Sequence, residues 1–379
     1  MRALFVGQTY IPNFNRQKLR LIASQGIEIG LLAPANWQNL DGLFQGHPAP
    51  IEPSTEEPAI RIFGARTWRP GHHASFLYDP RTVREALSNF RPDVVQVEQE
   101  VYSFASAQIA SQIRREQKMV IFSWENLDRP VHPLQRIARK IALKRVNGII
   151  SGNSTGVPLM RKWGFPGPTK ILPQVGIDPT RYPERSAEEN RPLQIGFVGR
   201  LVPEKGGDTL LKAASRLAAK GHDFRLFFCG TGPCADAWRE ISTELGLADR
   251  TRWQGSVPHG EVPQFMAEMD ILVLPSKTIP SWAEQFGLVL PQAMMVGVPV
   301  VGSDCGAIPE VIGREEAIFP EGDPAALAAI LERLLTSPEL RRSWRTVGRA
   351  RALAVYTAEH VARETVNFWR DLLSDSTRA

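Results

Sequence analysis

The chain has 379 residues, 43% hydrophobic and 22% charged, with a formal net charge of +5. That length allows two domains of ordinary size, and no stretch approaches the roughly 18 apolar residues that a membrane span needs, so a soluble, cytoplasmic protein is expected. The mild positive charge admits anionic partners such as nucleotide phosphates or a lipid surface, while scattered basic residues without an aromatic platform or zinc finger argue against nucleic acid. Cys229, Cys234 and Cys305 are too few for a disulfide framework and lack histidines at zinc-site spacing. They read as small buried or half-buried side chains.

Short runs rich in β-branched residues alternate with longer helical patterns, the rhythm of parallel α/β sheets. In the first half, strands are predicted at 3–8, 28–34, 59–64, 93–99, 119–125, 148–153 and 170–174. The text from Pro173 to Pro192 is polar and proline-rich without a period, and reads as an interdomain linker. A second series follows at 193–200, 224–230, 251–257, 270–276, 298–304 and 316–322, and the chain closes with helices. The expected architecture is two doubly wound, Rossmann-like domains, 1–180 and 191–357, with a last helix of about 358–379 packing back on the first. Such sheets bind ligands at the carboxyl ends of their strands, which directs attention to a cleft between the domains.

The second domain opens with "GFVGRLVPEKGG", where a strand ends at Gly199 and Arg200 and Lys205 follow beside glycines. Dispersed positive charge and close backbone approach suit a diphosphate; a solvated loop with an incidental Glu204–Lys205 pair is the plain alternative. In "SWAEQFGLVLPQAM", Gly287 lets the backbone approach a ligand and Pro291 falls in the first turn of a helix, where its missing N–H costs nothing. N–H groups near Phe286, Gly287 and Leu288 would then face an anion. Glu284, just before that start, is suited to hydroxyls such as those of a sugar.

Together "VGRLVPEKG", "PSKTIPSWAEQFGLVLPQAM" and "GVPVVGSDCGAIPEVI" resemble the donor-binding half of the retaining glycosyltransferases of family 4, which have the GT-B fold. The likeness covers 193–322; the first domain is similar mainly in its α/β layout. The resemblance implies that Arg200 and Lys205 hold the donor diphosphate, with Gly199 nearby and the backbone of Gln285, Phe286, Gly287 and Leu288 at the phosphate. It implies that Glu284 binds the transferred sugar, as the first glutamate of the family's pair. Gln292 stands where the second glutamate would grip the ribose, and as an amide it keeps an acceptor and adds a donor. Thr231 in "GTGP", with Ser256 and Val257, would border the nucleobase.

The first domain departs from the family. Its first loop, "GQTYIPNFNRQK", has only Gly7 where a glycine pair is common, and "VIFSWENLDRP" ends in Trp124-Glu125-Asn126 without the family's histidine. Glu125 reads either as a replacement contact to sugar or acceptor, or as an exposed loop carboxylate. Glu98 and Glu100, two apart and on one face if the strand continues, read as acceptor ligands or a base, or equally as sheet-edge charge. His72 and His73 read as a polar loop rather than an acceptor contact. The segment 133–146 reads as a helix whose Leu134, Ile137, Ile141 and Val146 pack on the sheet, with weak peripheral contact to the inner membrane face as the alternative. Trp68, Trp163, Trp344 and Trp369 read as packing residues. No set of His, Asp and Glu has metal-ligand spacing, so no metal and no cofactor is expected beyond a UDP- or GDP-sugar co-substrate.

The expectation is a retaining, metal-independent glycosyltransferase acting on an unidentified acceptor hydroxyl in polysaccharide, glycolipid or small-glycoside synthesis. Its rivals are a catalytically silent GT-B subunit that binds a nucleotide sugar or partner protein, and a sugar-nucleotide epimerase.

Overall fold

The computed structural model describes residues 1–38, 51, 60–185 and 191–374. Ala59 of the third predicted strand, 186–190 of the predicted linker and 375–379 of the predicted last helix lie outside the described residues. The chain divides into two compact units, Met1–Gly176 with Ala358–Ala379, and Ile177–Thr357.

The first unit contains β1 (Arg2–Val6), β2 (Glu28–Pro34), β3 (Ile60–Ala65), β4 (Thr67–Trp68), β5 (Leu77–Tyr78), β6 (Val94–Val97), β7 (Lys118–Ser123), β8 (Gly148–Ser151) and β9 (Thr169–Ile171). Seven of these form one parallel sheet in the order β3-β2-β1-β6-β7-β8-β9, while β4 and β5 make a small antiparallel pair absent from the sequence reading. The near-continuous apolar runs reflect burial on both faces: every residue of β6 and β8 is buried. Strand order reverses between β1 and β6, so the loops after these strands leave neighbouring carboxyl ends. The helix Ala358–Ser374 joins this core, with Trp369 fully buried, its ring 5.5 Å from Phe5 and its indole N–H donating to Gln96 Oε1 at 2.8 Å. Trp344 is buried as expected, but Trp68 is 55% exposed.

The helix Pro133–Arg145 corrects the sequence reading. A capping box at its start joins the His132 ring to the Leu134 N–H and the Gln135 side chain to the His132 N–H. Its buried residues are Ala138 and Ala142, while Leu134, Ile137 and Ile141 are 55%, 54% and 43% exposed. The helix packs against Phe104–Gln112, and small alanines allow that close approach. Val146 is buried, as predicted.

The second unit contains β10 (Leu193–Val198), β11 (Phe224–Cys229), β12 (Thr251–Gly255), β13 (Ile271–Leu274), β14 (Val300–Ser303) and β15 (Ile318–Phe319). They form a parallel sheet in the order β12-β11-β10-β13-β14-β15, reversing between β10 and β13. The start of the predicted linker is no loose connection. Ile177 bridges to Thr357, Tyr182 is 4% exposed, and Arg185 donates to Asp270 at 2.8 Å. Asp270 is almost fully buried and also accepts from Arg191 and the Gln194 N–H, so its charge is fully paired.

Candidate donor site at the switch point of the second sheet

The segments after β10 and β13 start at adjacent carboxyl ends, where a doubly wound sheet binds ligands. The first carries Gly199, Arg200 and a short 3-10 turn, Pro203–Lys205; the second carries Ser276 to Leu288. They meet through an ion pair. Lys205 Nζ lies 2.5 Å from Glu284 Oε2, with the two side chains only 15% and 7% exposed, and the ammonium sits 4.7 Å from the centre of the Trp282 ring. Ser276 Oγ donates to the same carboxylate oxygen at 3.0 Å. The Glu284 backbone is held as well: its N–H points to Cys305 Sγ at 3.4 Å and its carbonyl accepts from the Ala307 N–H at 2.9 Å. Gly306, at φ 56°, makes that approach feasible, because a Cβ there would lie 2.1 Å from the Glu284 carbonyl oxygen. Two groups expected to serve different parts of a ligand, Lys205 its diphosphate and Glu284 its sugar, therefore touch each other.

Arg200 differs. It is exposed, and its guanidinium makes no ion pair or hydrogen bond among the described residues. Its loop is anchored through the backbone: the Gly199 N–H donates to the Cys229 carbonyl at 3.0 Å, and the Leu201 N–H to that of Thr231 at 2.9 Å. The Thr231 side chain is exposed and Val257 is half-buried on the segment after β12.

The helix Val289–Val296 starts as expected, with Pro291 in its first turn. No side chain caps it, and no acceptor among the described residues takes the N–H groups of Gly287, Leu288 and Val289. These donors, at the positive end of the helix, suit an anion. Gly287 adopts φ 72°, which favours glycine. Phe286 packs edge-on against Tyr356 with centroids 5.6 Å apart, Gln285 is half-buried and Leu288 is 39% exposed.

Gln292 is 8% exposed, and its amide donates to the Tyr182 hydroxyl at 2.7 Å. Burial pushes the Tyr182 phenol up to about 12, so it stays neutral and able to donate its own proton. The sequence reading missed Tyr182 because its segment lacks any periodic signal. It also missed Ser276, Trp282 and Cys305, whose importance comes only from their contacts with Lys205 and Glu284.

The candidates of the first unit do not form one group. The strand they were expected to extend ends at Val97. Glu98 is 2% exposed beneath an interior strand, so it is neither sheet-edge charge nor an accessible acceptor ligand. It accepts from Gln96 Nε2 at 2.7 Å and Tyr10 OH at 3.0 Å, and Lys18 Nζ lies 3.5 Å away. Burial lowers the Lys18 pKa, against the opposing pull of Glu98. Gly7 packs tightly here, since a Cβ would lie 2.8 Å from Glu98 Cβ.

Glu100 turns the other way, accepting from Ser123 Oγ and from the Trp124 N–H at 2.8 Å. Burial, reinforced by the nearby Glu125 charge, raises its pKa to about 7. Glu125 is 2% exposed and not an exposed loop carboxylate: Tyr102 OH donates to it at 2.7 Å and Arg129 pairs with it at 3.0 Å. His73 is exposed, with Nδ1 2.9 Å from Gln8 Nε2. No three His, Cys, Asp or Glu among the described residues gather as a metal-holding group.

Residues 178–351 match the family described as "Glycosyl transferases group 1". This segment belongs to that family. Over 239 residues the chain is 30% identical to 2-deoxystreptamine glucosyltransferase of Streptomyces kanamyceticus, covering 58% of this chain and 60% of that one. It is 32% identical to the putative colanic acid biosynthesis glycosyltransferase WcaL of Salmonella typhimurium, covering 45% and 43%. The chain thus spans about half the length of the curated relatives it matches. Among solved structures, sucrose-phosphate synthase from Thermosynechococcus elongatus aligns with a TM-score of 0.73 at 18% identity, over 99% of this chain and 100% of that one. Anabaena Alr3699/HepE in complex with UDP aligns at 0.71 and 18%, over 98% and 100%. At these identities the likeness concerns the fold, which is GT-B, in agreement with the two Rossmann-like sheets.

Proposed function

We propose that the chain is a retaining, metal-independent glycosyltransferase that moves a sugar from a nucleoside diphosphate to an acceptor hydroxyl. The observation that carries this reading is the contact of Lys205 with Glu284 at the switch point, beside a helix start with unpartnered N–H groups. Arg200 and those N–H groups take the diphosphate, and Lys205 bridges it to Glu284. Glu284 then accepts hydrogen bonds from sugar hydroxyls. As the glycosidic bond breaks, negative charge grows on the leaving phosphate, and these fixed donors stabilise it more than they stabilise the bound donor. The acceptor attacks on the face from which the phosphate departs, and a phosphate oxygen takes its proton. Thr231 and Val257 border the base, and Gln292 with Tyr182 reaches the ribose.

UDP in the Anabaena complex supports a uridine donor. The relatives named 2-deoxystreptamine glucosyltransferase and colanic acid biosynthesis glycosyltransferase support a hydroxylated acceptor. A cytoplasmic protein with weak peripheral membrane contact belongs to the same proposal. The tie between Gln292 and Tyr182 favours a second reading, a nucleotide-sugar-binding subunit without turnover. Incubation with UDP-, GDP- and ADP-sugars, with and without EDTA, separates them. Donor-dependent release of nucleoside diphosphate that survives EDTA supports transfer; a thermal shift without release supports the silent subunit.

A further inference from the structure

The helix Pro133–Arg145 carries five basic residues and no acidic one in "PLQRIARKIALKR". At 100° per residue, Leu134, Ile137 and Ile141 fall within an arc of about 60°. Arg136, Lys140 and Lys144, spaced four apart, form the adjoining strip. All three apolar side chains are more than 40% exposed, and all three cations are exposed without a partner among the described residues. The other two basic residues are engaged: Arg139 stacks 4.4 Å from the Trp163 ring, and Arg145 donates to the Gln117 carbonyl at 2.7 Å. An apolar edge beside uncompensated cations matches neither a packed face nor an ordinary solvated one.

At the amino end of the helix an open cavity of about 310 Å³ is lined by Asp128, Arg129, Pro130, Val131, Arg136 and Arg139. Asp128 is paired there with Lys162 at 2.7 Å and accepts from the Trp163 indole N–H, and Arg129 is paired with Glu125, which leaves the charges of Arg136 and Arg139. The lining is therefore net positive.

We infer that this helix docks the first unit on an anionic phospholipid leaflet, with Leu134, Ile137 and Ile141 entering the headgroup layer. Arg136, Lys140 and Lys144 lie along the phosphates, and the cavity takes one headgroup phosphate. With 13 residues the helix is about 20 Å long, too short and too charged to span a bilayer, so it lies in the interface plane. Charge complementarity selects the lipid, because each cation near an anionic surface adds to binding and the apolar edge alone is small. This inference rests on the membrane part of the proposed function and is independent of sugar transfer.

The test is sedimentation of the full chain with vesicles of phosphatidylcholine alone and of phosphatidylcholine mixed with phosphatidylglycerol. The expected result is binding to the mixed vesicles, at least about tenfold weaker binding to the neutral ones, and release by added salt. The variants Ile137→Ser/Ile141→Ser and Arg136→Glu/Lys140→Glu/Lys144→Glu should each weaken binding about tenfold or more, with melting temperatures near wild type because the positions are exposed. Failure of the wild type to bind mixed vesicles overturns the inference, as does binding indifferent to salt or to both variants. A dimer that Ile137→Ser/Ile141→Ser converts to monomer, with no vesicle binding, overturns it in favour of a second copy covering the face. The UDP thermal shift of the same samples reports on the donor site separately.

Discussion

Lys205 and Glu284 neutralise each other in a largely buried setting, so removing one leaves the other charge uncompensated. Glu284→Ala is therefore expected to cost about 3 kcal/mol of stability, and nucleotide-sugar turnover should fall about a hundredfold or more. Glu284→Gln keeps an oxygen that accepts from Lys205 and Ser276 but no charge, so it should recover only part of that stability while still losing turnover. Thermal melts and nucleoside diphosphate release on the same samples separate the two effects. At Gln292 the structural partner sharpens the question, since the amide already donates to Tyr182. A glutamate there would accept from the phenol and keep the contact, so Gln292→Glu should change the UDP dissociation constant by less than about threefold, whereas Tyr182→Phe weakens it about fivefold. Titration calorimetry reads both; equal affinity in Tyr182→Phe removes Tyr182 from the site. Glu100 makes a third prediction. Its carboxyl holds the proton up to about 7 in the folded chain, against an ordinary value of 4.5, so the folded state binds more protons between those pH values. Stability from this group is thus lost as pH rises through that window. Glu100→Gln should gain stability relative to wild type between pH 5 and pH 8, on the order of 2 kcal/mol, read by denaturant unfolding at each pH. Little of this was legible in the sequence: the positions of Glu284 and Lys205 were, but their mutual contact depends on two loops 79 residues apart.

Whole elements were easier to read than their faces. Each predicted strand has a counterpart because a parallel sheet buried on both sides requires long β-branched runs, which stand out from the amphipathic helices between them. The helix Pro133–Arg145 shows the opposite case. Its large apolar residues suggested the buried side, yet Ala138 and Ala142 make that side, and size gave a misleading orientation. The last helix is anchored by Trp369, whose indole fills the first core and satisfies Gln96. Trp369→Ala should cost about 3 to 5 kcal/mol, combining a cavity with an unpaired buried amide, and should lower the cooperativity of melting if the helix detaches first. The segment 177–185 was illegible as structure because its three anchors, Ile177, Tyr182 and Arg185, follow no regular spacing.

At the scale of the whole molecule, the second unit carries the recognisable chemistry and the first the unusual one. Family resemblance was legible in 193–322 because a basic loop, a carboxylate, a glycine turn and a helix start follow one another in a fixed order along the chain. The first unit carries no such ordered set, and its carboxyl-end residues Glu100 and Glu125 are placed by contacts with Ser123, Trp124, Tyr102 and Arg129 that no local spacing announces. No helix among the described residues is long and apolar enough to cross a membrane. The central claim, that Arg200, Lys205, Glu284 and the start of Val289–Val296 hold a nucleotide sugar, is tested most directly by nucleotide-sugar titration of wild type and Glu284→Ala in parallel. The account predicts that at least one UDP- or GDP-sugar raises the wild-type melting temperature and slowly yields nucleoside diphosphate, with turnover lost in Glu284→Ala. No shift and no release with any donor, or a Glu284→Ala variant that turns over like wild type, would contradict it.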